Sequence, residues 1–156
     1  MSFIKSWFGV QPKRETTRAE MDEAIKRLVV PELRAMGFKG SMPHLRRPAD
    51  GHYDLLTFQF SKWGGAFCVE AARCSSSGVN SPLGCIPADQ AKAWDMPVRQ
   101  RVGADLRFGD HWFKFENADP NAIARQALAE LGKPSLWEMV GTFPKEWPKD
   151  GPKISG

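Results

Sequence analysis

The spacing of apolar residues changes twice along the chain, from a helical period to an alternating one and back. Thr17 and Glu20 have the spacing of a capping box, in which each side chain bonds a backbone amide of the first helical turn. Pro31 should kink or divide the helix that follows, and Gly37 should end it in a left-handed conformation. The apolar stripe of this helix is Met21, Ile25, Leu28, Val29, Leu33 and Met36.

From Phe38 to Phe115 apolar residues alternate with polar ones, which is typical of strands with one buried face. Leu56, Phe58 and Phe60 share such a face. Gly64–Gly65 predicts a turn into the next strand, "AFCVEAAR".

Residues 74–98 interrupt the alternation. They are rich in serine, glycine and proline, which predicts a long loop over one end of the sheet, with a short helix near residues 89–94. Long loops often carry function, so this segment is a candidate surface.

The helical period then returns. Asp119 and Pro120 suit the N-cap and first turn of a second helix, which Gly132 should end. Its apolar stripe is Ile123, Ala127, Leu128 and Leu131. The residues "SLWEMV" predict a short third helix near the C-terminus.

Together these elements predict an α+β fold. One antiparallel sheet of about five strands should be packed on one face by the first helix and the 120–131 helix. The expected organisation is a leader over residues 1–14, a single domain over 15–141 and a tail rich in proline and lysine over 142–156.

The segment Arg101–Glu116 predicts a β-hairpin. A two-residue turn at Gly109–Asp110, with glycine first, suits the geometry that matches strand twist. The apolar residues and His111 would then share one face. On the opposite face this register pairs Arg107 with Trp112 and Asp105 with Lys114, as a cation–π contact and an opposite-charge pair.

The acidic and histidine residues of this segment raise the question of catalysis. In the predicted hairpin, His111 and Asp105 point to opposite faces, so they could not act as a base and its orienting carboxylate. Asp110 lies where a turn favours aspartate. We therefore interpret His111 as a structural histidine at the edge of the core.

The common catalytic, metal-binding and phosphate-binding motifs are absent from the sequence. There is no G-x-S-x-G nucleophile elbow, no P-loop and no G-x-G-x-x-G. The spacings of the cysteines and histidines do not match zinc sites. We therefore expect no metal and no cofactor.

Composition narrows the class of protein. Hydrophobic residues make up 42% and charged residues 26% of the chain, values typical of globular proteins. No apolar run approaches the ~20 residues of a membrane span. Three cysteines, Cys68, Cys74 and Cys85, cannot all pair within one chain, which favours a reduced, cytoplasmic protein. The net charge of +4 permits an acidic partner, although the cations are dispersed.

The order of several segments resembles a bacterial family, domain of unknown function 4304. The segments are the helix ending "VPELRAMGFKG", then "LTFQFSKWGGAFCVEAA", "RQRVGADLRFGDHWFKF", and a closing helix before "KPSLWEMV". The chain departs from the family pattern at Glu70, where asparagine is frequent, and at Phe113, where a second tryptophan is frequent. The resemblance implies an α+β domain whose antiparallel sheet is covered by helices, and it implies no reaction.

The missing motifs favour a non-catalytic interaction protein. Toxin immunity is its most specific version, by analogy with other small families of this kind. The expected partner is another protein with an acidic or mixed surface. The binding residues that we expect on one side of the sheet are Gln59, Ser61, Lys62, Trp63, Arg101, Asp105, Arg107 and Trp112.

Two alternatives stay open. The stretch "TFQFSKWGGAFCVEAARC" interleaves aromatic residues with cations, as in stacking platforms for single-stranded nucleic acid, but its alternation favours core packing. An enzyme could instead build a cleft from residues distant in sequence, such as His52, Asp54 and Arg101.

Overall fold

A computed structural model describes residues 15–141, in which a sheet carries helices on one face. The expected leader (1–14) and tail (142–156) lie outside the described residues, and the domain boundaries stay predictions. The helices are α1 (Arg18–Ala24), a π-helical turn (Ile25–Val29), α2 (Val30–Ala35), a 3₁₀ turn (Ala93–Asp95), α3 (Pro120–Leu131) and α4 (Pro134–Gly141). The strands are β1 (Lys39–Ser41), β2 (His44–Ala49), β3 (His52–Phe60), β4 (Ala66–Ser75), β5 (Val79–Ser81), β6 (Gly84–Ile86), β7 (Gln100–Arg101) and β8 (Phe113–Lys114).

The first helix begins and divides as its sequence predicts. The Glu20 amide donates to Thr17 Oγ1 at 3.1 Å, which confirms the capping box. Proline lacks an N–H, and its ring crowds the carbonyl one turn earlier. The helix accordingly widens into a π-helical turn before Pro31 and resumes as α2. It ends at Gly37, whose φ of 99° lies in the left-handed region.

The main sheet is antiparallel, in the order β1-β2-β3-β4, and both β7 and β8 pair with the outer edge of β4. This arrangement confirms the α+β fold with a sheet of about five strands. The Asp119 carboxylate accepts from the Asn121 amide at 3.0 Å and caps α3, as predicted. Within the 74–98 segment, β5 and β6 form a separate two-stranded hairpin.

The hairpin predicted at Gly109–Asp110 is wrong. The two flanking strands do not pair with each other, because Arg101 lies opposite Glu70 and Phe113 lies opposite Phe67, both on β4. β7 and β8 are therefore successive pieces of one interrupted edge strand. The same alternation of apolar residues is compatible with pairing to each other or to β4, so the period alone could not identify the partner strand.

Residues 102–112 leave the sheet between these two pieces, and we call them the edge loop. Its tight turn spans residues 106–109, where the Gly109 amide donates to the Leu106 carbonyl at 2.9 Å. The edge loop begins and ends on the core. Val102 is buried and donates its amide to the Val69 carbonyl, and the Phe113 ring stacks on Phe67 at 5.1 Å.

The two faces of the sheet carry separate apolar clusters. On the helical face, Leu56, Phe58 and Phe67 pack against the helices, which confirms that these aromatic residues face the core. On the other face, Leu55, Ala72 and Cys74 pack beneath part of the 74–98 segment, which contributes Ala88, Ala91 and Ala93. The stretch considered for nucleic-acid stacking therefore buries Phe58 and Phe67, and Phe60 is half-buried.

Candidate interaction surface

A buried acid organises the side of the sheet opposite the helices. Glu70 lies in the middle of β4 and is only 8% exposed. Its Oε2 accepts from Arg99 Nη1 at 3.0 Å, and its Oε1 accepts from Arg101 Nη2 at 3.5 Å. A carboxylate removed from water needs such partners, because desolvation of an unpaired charge is costly.

Asp110 extends this network into the edge loop. Its Oδ1 accepts from the His111 amide at 3.0 Å, and its Oδ2 accepts from Trp112 Nε1 at 3.1 Å. Arg101 Nη1 lies 3.3 Å from Asp110 Oδ1, an ion-pair distance without hydrogen-bond geometry. The Arg101 guanidinium also lies 5.2 Å from the Trp112 ring centroid. We call Glu70, Arg99, Arg101, Asp110 and Trp112 the Arg101 cluster.

The register that paired side chains across the predicted hairpin is replaced. Arg101 lies over the Trp112 ring, and Lys114 lies opposite Ala66. The cause is the register of β7 and β8, which is set by β4.

The tip of the edge loop presents two apolar side chains to solvent. Leu106 is 75% exposed and Phe108 is 46% exposed. Phe108 has a φ of 63°, a left-handed conformation that is rare for bulky residues. The buried Gln100 supports the tip from below, since its Nε2 donates to the Leu106 carbonyl at 3.4 Å and to the Arg101 carbonyl at 3.2 Å. The tip is therefore held in a fixed, strained turn.

His111 lies at the core edge, as predicted. Its ring packs edge-on against Phe113, with centroids 4.7 Å apart, and covers Gly103. A Cβ on Gly103 would lie 2.5 Å from His111 Cδ2, and Gly103 has a φ of 92°. Glycine is thus required at this position for both space and backbone conformation.

We expect Gly103→Ala to lower the free energy of unfolding by about 2 kcal/mol, through its left-handed backbone and its contact with His111. Urea denaturation followed by circular dichroism measures the loss. Gly51→Ala is the matched control, since Gly51 has a φ of 78° but no atom within 4 Å of a Cβ. Equal losses in the two variants would show that His111 does not constrain the edge loop.

The eight predicted binding residues fall into two groups. The structure places Arg101 and Trp112 in the Arg101 cluster, and Asp105 and Arg107 in the edge loop. The remaining four belong to the end of β3 and the turn into β4: Gln59, Ser61, Lys62 and Trp63. The structure thus joins half of the predicted set around one loop.

The second group is the more exposed one. Trp63 is 87% exposed, with Lys62 Nζ lying 5.1 Å from its ring centroid, and its amide donates to Ser61 Oγ at 3.2 Å. Gln59 lies opposite Cys68 in the sheet and is exposed.

Sequence reasoning missed the acids that hold the surface together. From the sequence alone, Glu70 stands out only as a departure from the family pattern, and Asp110 only as a turn residue. One signal was present in "AFCVEAA", where a single acid stands inside a buried strand and must have a cationic partner. Its partners lie 29 and 31 residues further along the chain, so local spacing could not identify them.

The two buried cysteines offer little nucleophilic chemistry. Cys68 is buried beside the Arg101 cluster, and burial raises the pKa of its thiol to about 11, against the opposing effect of Arg101. Burial also raises the pKa of Cys74. Cys85 is exposed, and all three thiols are free. At neutral pH the two buried thiols are protonated, and a thiol is a much poorer nucleophile than a thiolate.

The residues considered for an enzymatic cleft are not assembled. His52 Nε2 lies 3.6 Å from Asp54 Oδ1, but Asp54 faces the helices together with Arg47 and Arg73. Arg101 lies with Glu70 on the opposite face of the sheet. Among the described residues no group of three or more potential metal ligands comes together.

This geometry defines a small α+β protein whose helices cover one sheet face and whose other face carries a charged cluster beside an exposed loop. The sequence model of the family described as domain of unknown function (DUF4304) matches residues 29–139, so the chain belongs to that family. No curated protein and no solved structure matches the chain. Between residues 15 and 141, none of the helices has the length and apolar character needed to cross a bilayer.

Proposed function

We propose that the protein is a non-catalytic interaction protein that binds another protein through the edge loop and the Arg101 cluster. Phe108 carries the proposal, because its exposed side chain stands at a left-handed turn position that glycine favours. A bulky residue at such a position costs on the order of 1 kcal/mol. Backbone strain of this kind concentrates at binding and catalytic sites.

The partner that fits this surface has an apolar pocket surrounded by acidic or mixed residues. Leu106 and Phe108 would enter the pocket. The surrounding segment 99–114 carries more cations than acids, with Arg99, Arg101, Arg107 and Lys114 against Asp105 and Asp110. An aromatic anchor beside arginine is the usual composition of an interface hot spot. The Arg101 cluster would fix the base of the loop and so reduce the entropy lost on binding.

Toxin immunity is the most specific form of this proposal. An immunity protein acts by covering its target, so it requires a preorganised surface and no reactive group. A reducing, cytoplasmic compartment fits the three free cysteines.

Site-specific photo-crosslinking tests the proposal. We would place a photoreactive amino acid at position 106 of the full chain and irradiate living cells of the native host. The matched control carries the same group at Leu83, which is fully exposed on the β5–β6 turn. We expect a discrete protein adduct from position 106 alone, and its loss in a Phe108→Gly background. Phe108→Gly removes the side chain and relieves the turn, so the fold is retained.

The other outcomes are informative. A nucleic-acid adduct at position 106, sensitive to salt in lysate, would replace this proposal with the nucleic-acid alternative. Equal adducts at positions 106 and 83, or no adduct at 106, would overturn it. The immunity version further requires that the captured protein be toxic when expressed alone and harmless when co-expressed with this chain.

A further inference from the structure

A pocket opens where strand β3 extends beyond its neighbour. The first residue of β2, His44, pairs with Thr57, and the preceding Pro43 carbonyl accepts from the Phe58 amide of β3 at 2.9 Å. The end of β3, residues 58–60, faces a cavity of about 290 Å³, which we call the strand-edge pocket. Its size is at the lower end of the range for small-molecule sites.

Apolar side chains from both faces of the sheet line this pocket. Phe60 and Met42 are half-buried, and Trp94 is 44% exposed. Trp94 is held in place, because its ring packs edge-on against His44 with centroids 4.8 Å apart. The preceding Ala93 amide donates to the buried Thr57 Oγ1 at 3.0 Å. A flat ligand can stack on the Trp94 ring, because the ring is fixed and partly exposed to solvent.

The polar wall comes from one face of the first helix. Arg18, Asp22 and Lys26 are spaced four residues apart and all line the pocket. Lys26 Nζ donates to Asp22 Oδ2 at 2.8 Å, and this hydrogen bond to the carboxylate raises the pKa of Lys26. The Arg18 guanidinium lies 4.8 Å from the Phe60 ring centroid and makes no ion pair within residues 15–141. The wall therefore has an excess of positive charge.

We propose that the strand-edge pocket binds a small organic carboxylate with a flat apolar body. The carboxylate would take two hydrogen bonds from the Arg18 guanidinium, whose planar fork matches its geometry. The apolar body would lie between Trp94 and Phe60, and the exposed Gln59 amide at the rim would select for a polar substituent. This site shares Gln59 with the predicted binding residues but is separate from the edge loop.

Ligand titration monitored by ¹H–¹⁵N NMR tests the proposal. The indole N–H signal of Trp94 is the reporter, and it is assigned as the indole signal that disappears in Trp94→Phe. The probe is phenylacetate. Phenylacetamide has the same ring without the charge, and acetate has the charge without the ring. We expect phenylacetate to shift the Trp94 signal and to bind at least about tenfold more tightly than either control, a difference of about 1.4 kcal/mol.

Variants locate the binding groups. Arg18→Gln should weaken phenylacetate binding at least about tenfold. Trp94→Leu, followed by the backbone amide signal of Gln59 in the pocket, should remove the dependence on the ring. Arg125→Gln is the matched control, since Arg125 is exposed on α3 and does not line the pocket. The proposal is overturned if the Trp94 signal is unmoved by phenylacetate, if phenylacetamide binds equally well, or if Arg18→Gln and Arg125→Gln behave alike.

Discussion

Replacing Asp54 by asparagine should lower the free energy of unfolding by about 3 kcal/mol. The carboxylate is only 3% exposed and is held by two arginines. Arg47 Nη2 donates to Oδ2 at 2.8 Å, and Arg73 Nε donates to Oδ1 at 3.1 Å. Removing this one negative charge would leave two partly buried cations facing each other. Urea denaturation measures the loss.

The effect should extend to the C-terminal helix. Arg47 lies 4.6 Å from the ring centroids of both Phe38 and Trp137, and Arg73 lies against Gly141 at the end of α4. Hydrogen exchange should therefore show faster opening of α4 in Asp54→Asn than in the natural protein.

Asp22→Asn is the matched control for Asp54→Asn. Asp22 pairs with Lys26 at 2.8 Å on the exposed side of the first helix. A pair of this type contributes little to stability, because water screens the two charges. If Asp54→Asn were no more harmful than Asp22→Asn, the arginines would be stabilised by water and not by the carboxylate.

The elements that local chemistry determines were predictable. Thr17 and Glu20 identify the start of the first helix, Pro31 its division and Gly37 its end, because each acts on backbone groups within one turn. Asp119 and Pro120 identify α3 in the same way. Alternation located β3 and β4, and it indicated correctly that Phe58 and Phe67 are buried.

The edge strand was not predictable from its own pattern. A glycine–aspartate pair between alternating residues is typical of a hairpin. In the structure both flanking segments pair instead with the free edge of β4, and this pairing depends on the position of β4 in the folded sheet. The candidate sites depend on the same long-range pairing. Glu70 meets Arg101 through that pairing, and Arg18 and Trp94 line one pocket because β3 extends past the first residue of β2.

Replacing Phe67 by alanine should lower the free energy of unfolding by about 4 kcal/mol, the largest loss that we expect. Phe67 is fully buried, and its ring contacts four others, those of Phe58, Phe60, Phe113 and Phe115. Truncation would leave a cavity among rigid rings that cannot collapse to fill it. Phe67→Leu should cost much less, since it retains most of the volume.

Phe108→Ala is the matched control for Phe67→Ala, because it removes the same atoms from an exposed ring. It should change the free energy of unfolding by less than about 0.5 kcal/mol. The Phe67→Ala variant also tests whether the packing of the core affects the edge loop. Phe67→Ala should accelerate amide exchange in the edge loop through Phe113, which anchors β8 on β4. If stability fell while exchange in the edge loop stayed unchanged, the loop would be held by the Arg101 cluster alone.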